Sequence, residues 1–281
     1  MLRSMSDFQN YAIGATDGSI GHVEDFYFDD QAWVIRYLVV KTGAWLAGRK
    51  VLISHIAVGK PNWNERVLPV AITKAQVKNS PDIDTDKPVS RQHEQDYIGY
   101  YGYPDYWGST GMWGMEYYPG DLLALSGQGG TDTQSRIARA EAEARAGVAT
   151  TKPKGDEDPH LRSCKAVIGY RIESADGEIG HVTGLLVDEE TWAIRYMIVN
   201  TSSWWFGHQV LIAPQWINDL RWAEQLVSVH LTRQAVKTSP PFTSTQELNR
   251  AHEADLYEHY GRLRYWPPQR ESSTPHRSSH V

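Results

Sequence analysis

The sequence predicts a mainly β protein built as two small closed β-barrels in tandem, each followed by a short C-terminal helical segment. Two observations carry that expectation. Residues 2–107 recur at 161–266 with a constant offset of 159, no insertion or deletion, and 39 identities over 106 aligned positions. Within each copy, short apolar stretches rich in β-branched and aromatic residues alternate with turn signals at the close spacing of a small barrel or sandwich. Closing such a sheet removes the exposed edges that invite aggregation. The period is far longer than that of a solenoid repeat, and each copy is about the size of one domain. The expected organisation is therefore repeat 1 at 2–107, a partly disordered linker at 108–160, repeat 2 at 161–266 and a disordered tail at 267–281. A feature present in both copies is one the unit needs to fold or act; a feature in one copy is local.

The first turn signal is Asp17-Gly18, matched by Asp176-Gly177. Asp-Gly between apolar stretches predicts a hairpin, because glycine adopts positive φ freely. A strand Ile20-Gly21-His22-Val23 to Phe28 follows, matched from Ile179 to Val187, and acidic turns at Asp29-Asp30 and Asp188-Glu189-Glu190 end it. The near-continuous apolar runs Trp33 to Val40 and Trp192 to Val199 predict central strands covered on both faces. Shorter strands are expected at Lys50 to Ile53 and Arg66 to Val70, matched by Gln209 to Ile212 and Gln225 to Val229.

The pattern then becomes helical. Thr73 and Thr232 are placed to cap one helical turn each, stopped by Ser80-Pro81 and Ser239-Pro240. Ser90 and Asn249 would cap a second helix that glycine ends at Gly102 and Gly261. Residues 108–160 have no counterpart elsewhere; they hold one helix candidate, Thr133 to Ala146, and then a polar tract.

Composition narrows the function classes. With 34 acidic against 28 basic residues the chain lacks the basic character of a non-specific nucleic-acid binder. Its one cysteine, Cys164, corresponds to Met5 in the first copy, so neither an intrachain disulfide nor a cysteine-based metal site is expected, as suits a reducing cytosol. The opening residues lack the apolar run of a signal peptide, and no stretch approaches the ~20 apolar residues of a membrane-spanning helix. The expected location is cytoplasmic, in solution or peripheral to a membrane.

The Asp-Gly-x-Ile-Gly-His-Val turn and strand, then Trp-x-Ile-Arg-Tyr and Gly-x-x-Val-Leu-Ile, resembles the PRC-barrel family over 11–72 and again over 170–231. That family includes the cytoplasmic domain of the photosynthetic reaction-centre H subunit and the C-terminal domain of a ribosome-maturation factor. The flanking Leu-Arg-Ser and Tyr-Tyr-Gly…Tyr-Trp elements are similar to those of bacterial soluble PRC-barrel proteins. The resemblance implies a protein–protein contact module, although fold alone does not fix function. No counterpart of the H subunit's membrane helix, or of the maturation factor's other domain, is present in the sequence.

Candidate sites divide into chemical and interfacial ones. His22 and His181 are retained after Ile-Gly, but no second ligand lies two residues on in both copies, so a hydrogen-bonded strand histidine is the preferred reading. His93 and Asp96, and again His252 and Asp255, lie three apart on one helix face, a candidate divalent-metal pair. The His-Glu-x-x-His zinc motif is absent, since Tyr97 and Leu256 stand at the fifth positions, and acids favoured by a helix N-terminus explain the pattern better. Asp82 to Asp86 resembles the start of a calcium loop without its glycine or distal glutamate, and the second copy lacks it. No nucleophile–base pair, phosphate loop or zinc pattern recurs, so no catalytic residue, cofactor or metal is assigned.

Asp17, Gly18, Asp176 and Gly177 are assigned structural roles in the hairpin turns. Arg36 and Arg195, inside apolar strands, require partners, and a structural ion pair is preferred over ligand recognition. Because Glu24 and Asp25 become Thr183 and Gly184, that partner is expected elsewhere. Eleven tryptophans is a high count. Trp45 and Trp204-Trp205-Phe206 fall in a turn, and with Tyr97, Tyr101 and Tyr260 they form the candidate interface, since aromatic anchors are enriched at interfaces. The expected partner is a protein, with the two barrels paired within one chain or the chain forming a homo-oligomer. The function expected is a non-catalytic scaffold; the alternatives are a peripheral component of a photosynthetic or other membrane electron-transfer assembly, and, third, a metal-dependent enzyme.

Overall fold

In a computed structural model the chain is described at residues 1–81, 89, 91–103, 161–201 and 208–266, with backbone alone at 91–93. The Thr133–Ala146 helix, the acidic loop from Asp82, Trp204-Trp205-Phe206, Trp107, Trp113 and the tail lie outside those residues.

In the first repeat the strands are β1 (Leu2–Ser4), β2 (Ala12–Ala15), β3 (Gly18–Asp29), β4 (Val34–Thr42), β5 (Lys50–Ser54) and β6 (Val67–Pro69), followed by helices α1 (Lys74–Asn79) and α2 (Arg91–Tyr101). The second repeat gives β7 (Leu161–Ser163), α3 (Cys164–Val167), β8 (Arg171–Ser174), β9 (Gly177–Asp188), β10 (Ile194–Asn200), β11 (Gln209–Ile212), β12 (Ile217–Arg221), β13 (Leu226–Val229), α4 (Arg233–Lys237) and α5 (Arg250–His259). The protein is mainly β, in two sheets.

One sheet has the order β5-β4-β3-β2-β6 and the other β11-β10-β9-β8-β13-β12. Within each, the central hairpins are antiparallel, whereas β2 joins β6 and β8 joins β13 in parallel. Both sheets are open paths of ladders instead of the closed ladders expected of barrels. In the first, the chain leaving β5 meets the far edge through the isolated bridges Val58–Val70 and Asn62–Val67.

The Asp-Gly turns form as expected, with Gly18 at φ 133° and Gly177 at φ 131°. The aspartates also do something the turn alone does not require. Asp17 Oδ1 accepts the amide of Lys74 at 2.8 Å and Asp176 Oδ1 that of Arg233 at 2.7 Å, so each hairpin fixes the start of the helix that follows its sheet. Thr73 and Thr232 cap those helices, and Asn249 caps α5.

Trp33 and Trp192 depart from the strand expected of them. Both are left-handed turn residues, at φ 55° and 58°, yet both are buried. An apolar run reads as continuous strand, but here the turn after β3 and β9 uses its tryptophan to drive a side chain into the core. One large apolar cluster spans both repeats, from Phe8, Phe26 and Trp33 to Trp192, Tyr196 and Tyr257. A smaller one lies under α2 and joins Tyr37, Leu52 and Tyr97 of the first repeat to Leu161 of the second.

Candidate functional site

Leu-Arg-Ser opens each repeat, and neither copy of it stays with its own sheet. β1 pairs with β9, placing Leu2 opposite Asp188, Arg3 opposite Val187 and Ser4 opposite Leu186. β7 pairs with β3, placing Leu161 opposite Asp29, Arg162 opposite Phe28 and Ser163 opposite Tyr27. The second set is the first with every residue moved by the repeat offset. The leader strands are exchanged.

Side chains repeat the reciprocity. Arg3 Nε donates to Glu189 at 3.0 Å, and Arg162 Nε donates to Asp30 at 3.0 Å. Each guanidinium also lies over a tryptophan of its own repeat, Arg3 at 4.1 Å from the Trp63 ring and Arg162 at 4.5 Å from the Trp222 ring. Such stacking favours arginine over lysine at this position. A second seam joins the tryptophan turns: Ile35 N donates to Trp192 O at 2.9 Å, and Ile194 N to Trp33 O at 2.7 Å. Trp192 thereby packs against Phe8 and Phe26 of the first repeat, at 5.8 and 6.3 Å between ring centres.

Where the repeats meet lies a cleft of about 450 Å³, lined among others by Met5, Glu24, Asp25, Cys164, Lys165 and Ile168. A bulge in β3 at Glu24 turns two successive acids toward it, and the matching bulge in β9 presents Thr183 and Gly184. Asp25 accepts from Ser163 Oγ at 2.5 Å, from the Lys165 amide at 3.2 Å and from the Phe26 amide at 2.8 Å. Burial raises its pKa above the usual carboxylate value, and those hydrogen bonds oppose the rise. Burial likewise holds the Cys164 thiol well above its usual pKa, with the Asp25 charge adding to the effect, so the thiol is kept from the reactive thiolate form.

The other sequence candidates fall elsewhere. Arg36 finds Asp29 at 3.5 Å and Arg195 finds Asp188 at 3.5 Å, so the partner recurs in both copies. Trp45 is packed on its own sheet: its Nε1 donates to Ile20 O at 2.7 Å and Lys74 Nζ sits 4.7 Å from its ring. Tyr97 is buried in the apolar cluster that also holds Leu161 of the second repeat, and Tyr260 is buried against Trp216 of its own repeat. Tyr97 OH accepts the Ser54 amide and donates to Leu52 O, covering the outer edge of β5. Tyr101 is half-buried and stacks on Tyr103 with 5.3 Å between ring centres. His22 is exposed and His181 half-buried. Asp96, His252 and Asp255 point to solvent, and the His93 side chain lies outside the described residues. Among the described residues no three His, Cys, Asp or Glu side chains converge on a metal-sized site.

The residue that matters in His-Glu-x-Asp is the glutamate. Glu94 and Glu253 are buried. Glu253 accepts from Tyr196 OH, Tyr265 OH and Arg250 Nη1, each at 2.8 Å, and so pins α5 to its sheet. Its recurrence beside a helix cap was the available signal. Gly21 and Gly180 are a second case. A Cβ there would stand 2.0 Å from the carbonyl oxygen of Lys41 or Asn200, which is why Ile-Gly-His-Val keeps its glycine in both copies.

Residues 4–77 match the model of the PRC-barrel domain. No curated protein matches the chain. The PRC-barrel match begins within the exchanged strand at Ser4 and ends at Val77 in α1, so it covers β2–β6 and most of the helix Asp17 anchors. The second PRC-barrel-like copy rests on its identities with the first. No helix among the described residues is long and apolar enough to cross a membrane.

Proposed function

We propose that this chain is a non-catalytic protein-binding scaffold made of two PRC-barrels held as an intramolecular pseudo-dimer. The observation that carries the reading is the use made of the repeated residues. Leu-Arg-Ser, the glycine of Ile-Gly-His, the turn tryptophans, the Asp–Arg pairs and the buried glutamates all go into folding a repeat or joining it to the other. Duplicating a binding fold needs no new chemistry, and a joined pair presents two related but unlike faces. The barrel reading draws support from the chain itself: β5 runs through a short turn into the Val58–Val70 bridge beside β6, which brings the two ends of the open ladder together. The preferred location is the cytoplasm.

The test is affinity capture of the full chain from its native lysate, followed by mass spectrometry and reconstitution with the purified candidate. A scaffold gives a stoichiometric protein complex that re-forms from the pure components and persists in chelator. Failure of every captured protein to rebind, or a catalytic activity that survives metal-free purification and is lost with a single side chain, would overturn the reading. Co-fractionation with pigmented membranes would redirect it to an electron-transfer assembly.

A further inference from the structure

We infer that the two repeats are matched as unlike partners, and that Asp25 opposite Gly184 makes repeat 1 choose repeat 2 over a second copy of itself. The inference rests on the exchanged pairing described above and goes beyond it, because most of that pairing cannot tell like from unlike. The β1–β9 and β7–β3 ladders, the Arg3–Glu189 and Arg162–Asp30 contacts and the tryptophan seam are images of one another. Each would be regenerated if two first repeats, or two second repeats, came together.

The step after the leader strand breaks the symmetry. On one side Ser163 Oγ and the Lys165 amide donate to Asp25, so the turn that starts α3 is capped by a carboxylate from the other repeat. On the other side the position of Asp25 is Gly184, whose missing side chain leaves room that Ile198 fills, with its Cδ1 3.0 Å from where a Cβ would stand. The turn after β1 supplies its own carboxylate instead: the Ser4 amide donates to Asp7 Oδ2 at 3.1 Å, and Ser4 Oγ and Ser6 Oγ lie 2.7 Å apart. The second repeat has Ala166 and Lys165 where the first has Asp7 and Ser6.

Counting carboxylates per turn decides the preference. In the unlike pair each turn has one acid. In a pair of first repeats each turn would hold its own Asp7 and the partner's Asp25, two like charges on one short segment with no lysine beside them. In a pair of second repeats each turn would face glycine, leaving the half-buried Ser163 hydroxyl without its carboxylate acceptor and the exposed Lys165 amide to water. Like-charge crowding and stranded donors are each costly, and specificity of this kind is built by penalising the wrong partner.

The experiment uses the full chain with a protease site placed within 108–160. It is cut under native conditions, and unlabelled and ¹⁵N-labelled complexes are mixed in urea raised until the label scrambles. Native mass spectrometry then counts the pairs after the urea is removed. Random association would make about half of the complexes like pairs; the unlike rule predicts like pairs at least roughly tenfold rarer. Asp25→Gly should bring the like pairs back toward the random level. Asp7→Ala, which removes the Ser4 amide's acceptor but none of the ladder or arginine contacts between the repeats, should admit pairs of first repeats selectively. A random mixture from the unaltered chain, or an unlike-only mixture from both variants, overturns the inference. Halves that separate as soon as the chain is cut would instead overturn the exchanged pairing on which it rests.

Discussion

Val34 and Ala193, the same position in the two repeats, form an antiparallel bridge with each other. Two equivalent residues can pair this way only if the repeats are turned about an axis passing between them, and the exchanged leader strands obey the same relation. The sheets are therefore joined at two seams made from the same residues. Among the described residues, both seams are made by the repeats themselves.

Cutting the chain between the repeats should accordingly leave the protein whole. With a protease site inserted within 108–160 and fully cleaved, the two halves should elute together in size exclusion at the volume of the uncut chain. They should part only in denaturant. Arg162→Ala, which removes the contacts to Asp30 and Trp222, should lower the urea concentration at which they part by an amount equivalent to about 1–2 kcal/mol.

The two arginine–aspartate pairs should differ in weight. Arg36 and Asp29 side chains are 3% and 9% exposed, whereas Arg195 is 15% exposed and also lies over Tyr265 at 4.3 Å. Arg36→Met strands a carboxylate in the interior, which typically costs about 3–5 kcal/mol. Arg195→Met should cost less than half as much, because Arg195 is the more exposed arginine and the Met1 amino group, 3.9 Å from Asp188, remains as a second cation. Urea unfolding of the two variants gives both numbers, and an equal loss would contradict the argument from burial.

Gly21→Ala and Gly180→Ala should be among the most damaging small changes in the chain. The added Cβ meets a backbone carbonyl of the neighbouring strand, so no side-chain rotation relieves it and the hairpin must open. A loss of about 3 kcal/mol or more is expected at either site. Gly99→Ala is the control: nothing lies within 4 Å of its Cβ position on α2, and the change should stabilise by about 0.5–1 kcal/mol. Thermal denaturation of the three variants separates the two outcomes.

How much of this could be seen in the sequence depended on range. Helix caps at Thr73, Thr232 and Asn249, the Asp-Gly turns and most strands are set by neighbours a few residues apart, and they form where expected. Strand exchange is non-local: a three-residue leader has too few side chains to show an alternation, and nothing in it names the sheet it will join. Asp29 and Asp188 read as turn residues because their arginines are seven positions on, brought back by the hairpin. Glu94 and Glu253 were masked by a histidine and an aspartate that look more like chemistry and point to water in the described copy. Repetition was the signal that could have found all four, since the acid recurs wherever the basic or tyrosine partner does.

His55 should give the protein a measurable acid sensitivity of its own. It is buried beside Trp192 at the junction of the repeats, with its Nδ1 3.1 Å from the Arg36 carbonyl. Desolvation, and secondarily the Arg36 charge, push its pKa down to about 3 from the ordinary 6.5. The unfolded chain therefore binds a proton between those values that the folded chain refuses. The stability contributed by the neutral ring is complete above pH 6.5 and is lost progressively as pH falls toward 3. His55→Gln should be less stable at neutral pH but flatter across that window, so the difference between the two unfolding free energies should shrink on acidification. Asp25, raised by burial, responds in the opposite sense, but it is present in both proteins and cancels in the difference. Pro214 occupies the matching position in the second repeat, so the effect belongs to one side of the molecule. Urea titrations of both proteins at intervals from pH 7 down to pH 4 measure it, and parallel curves would show that His55 takes no part.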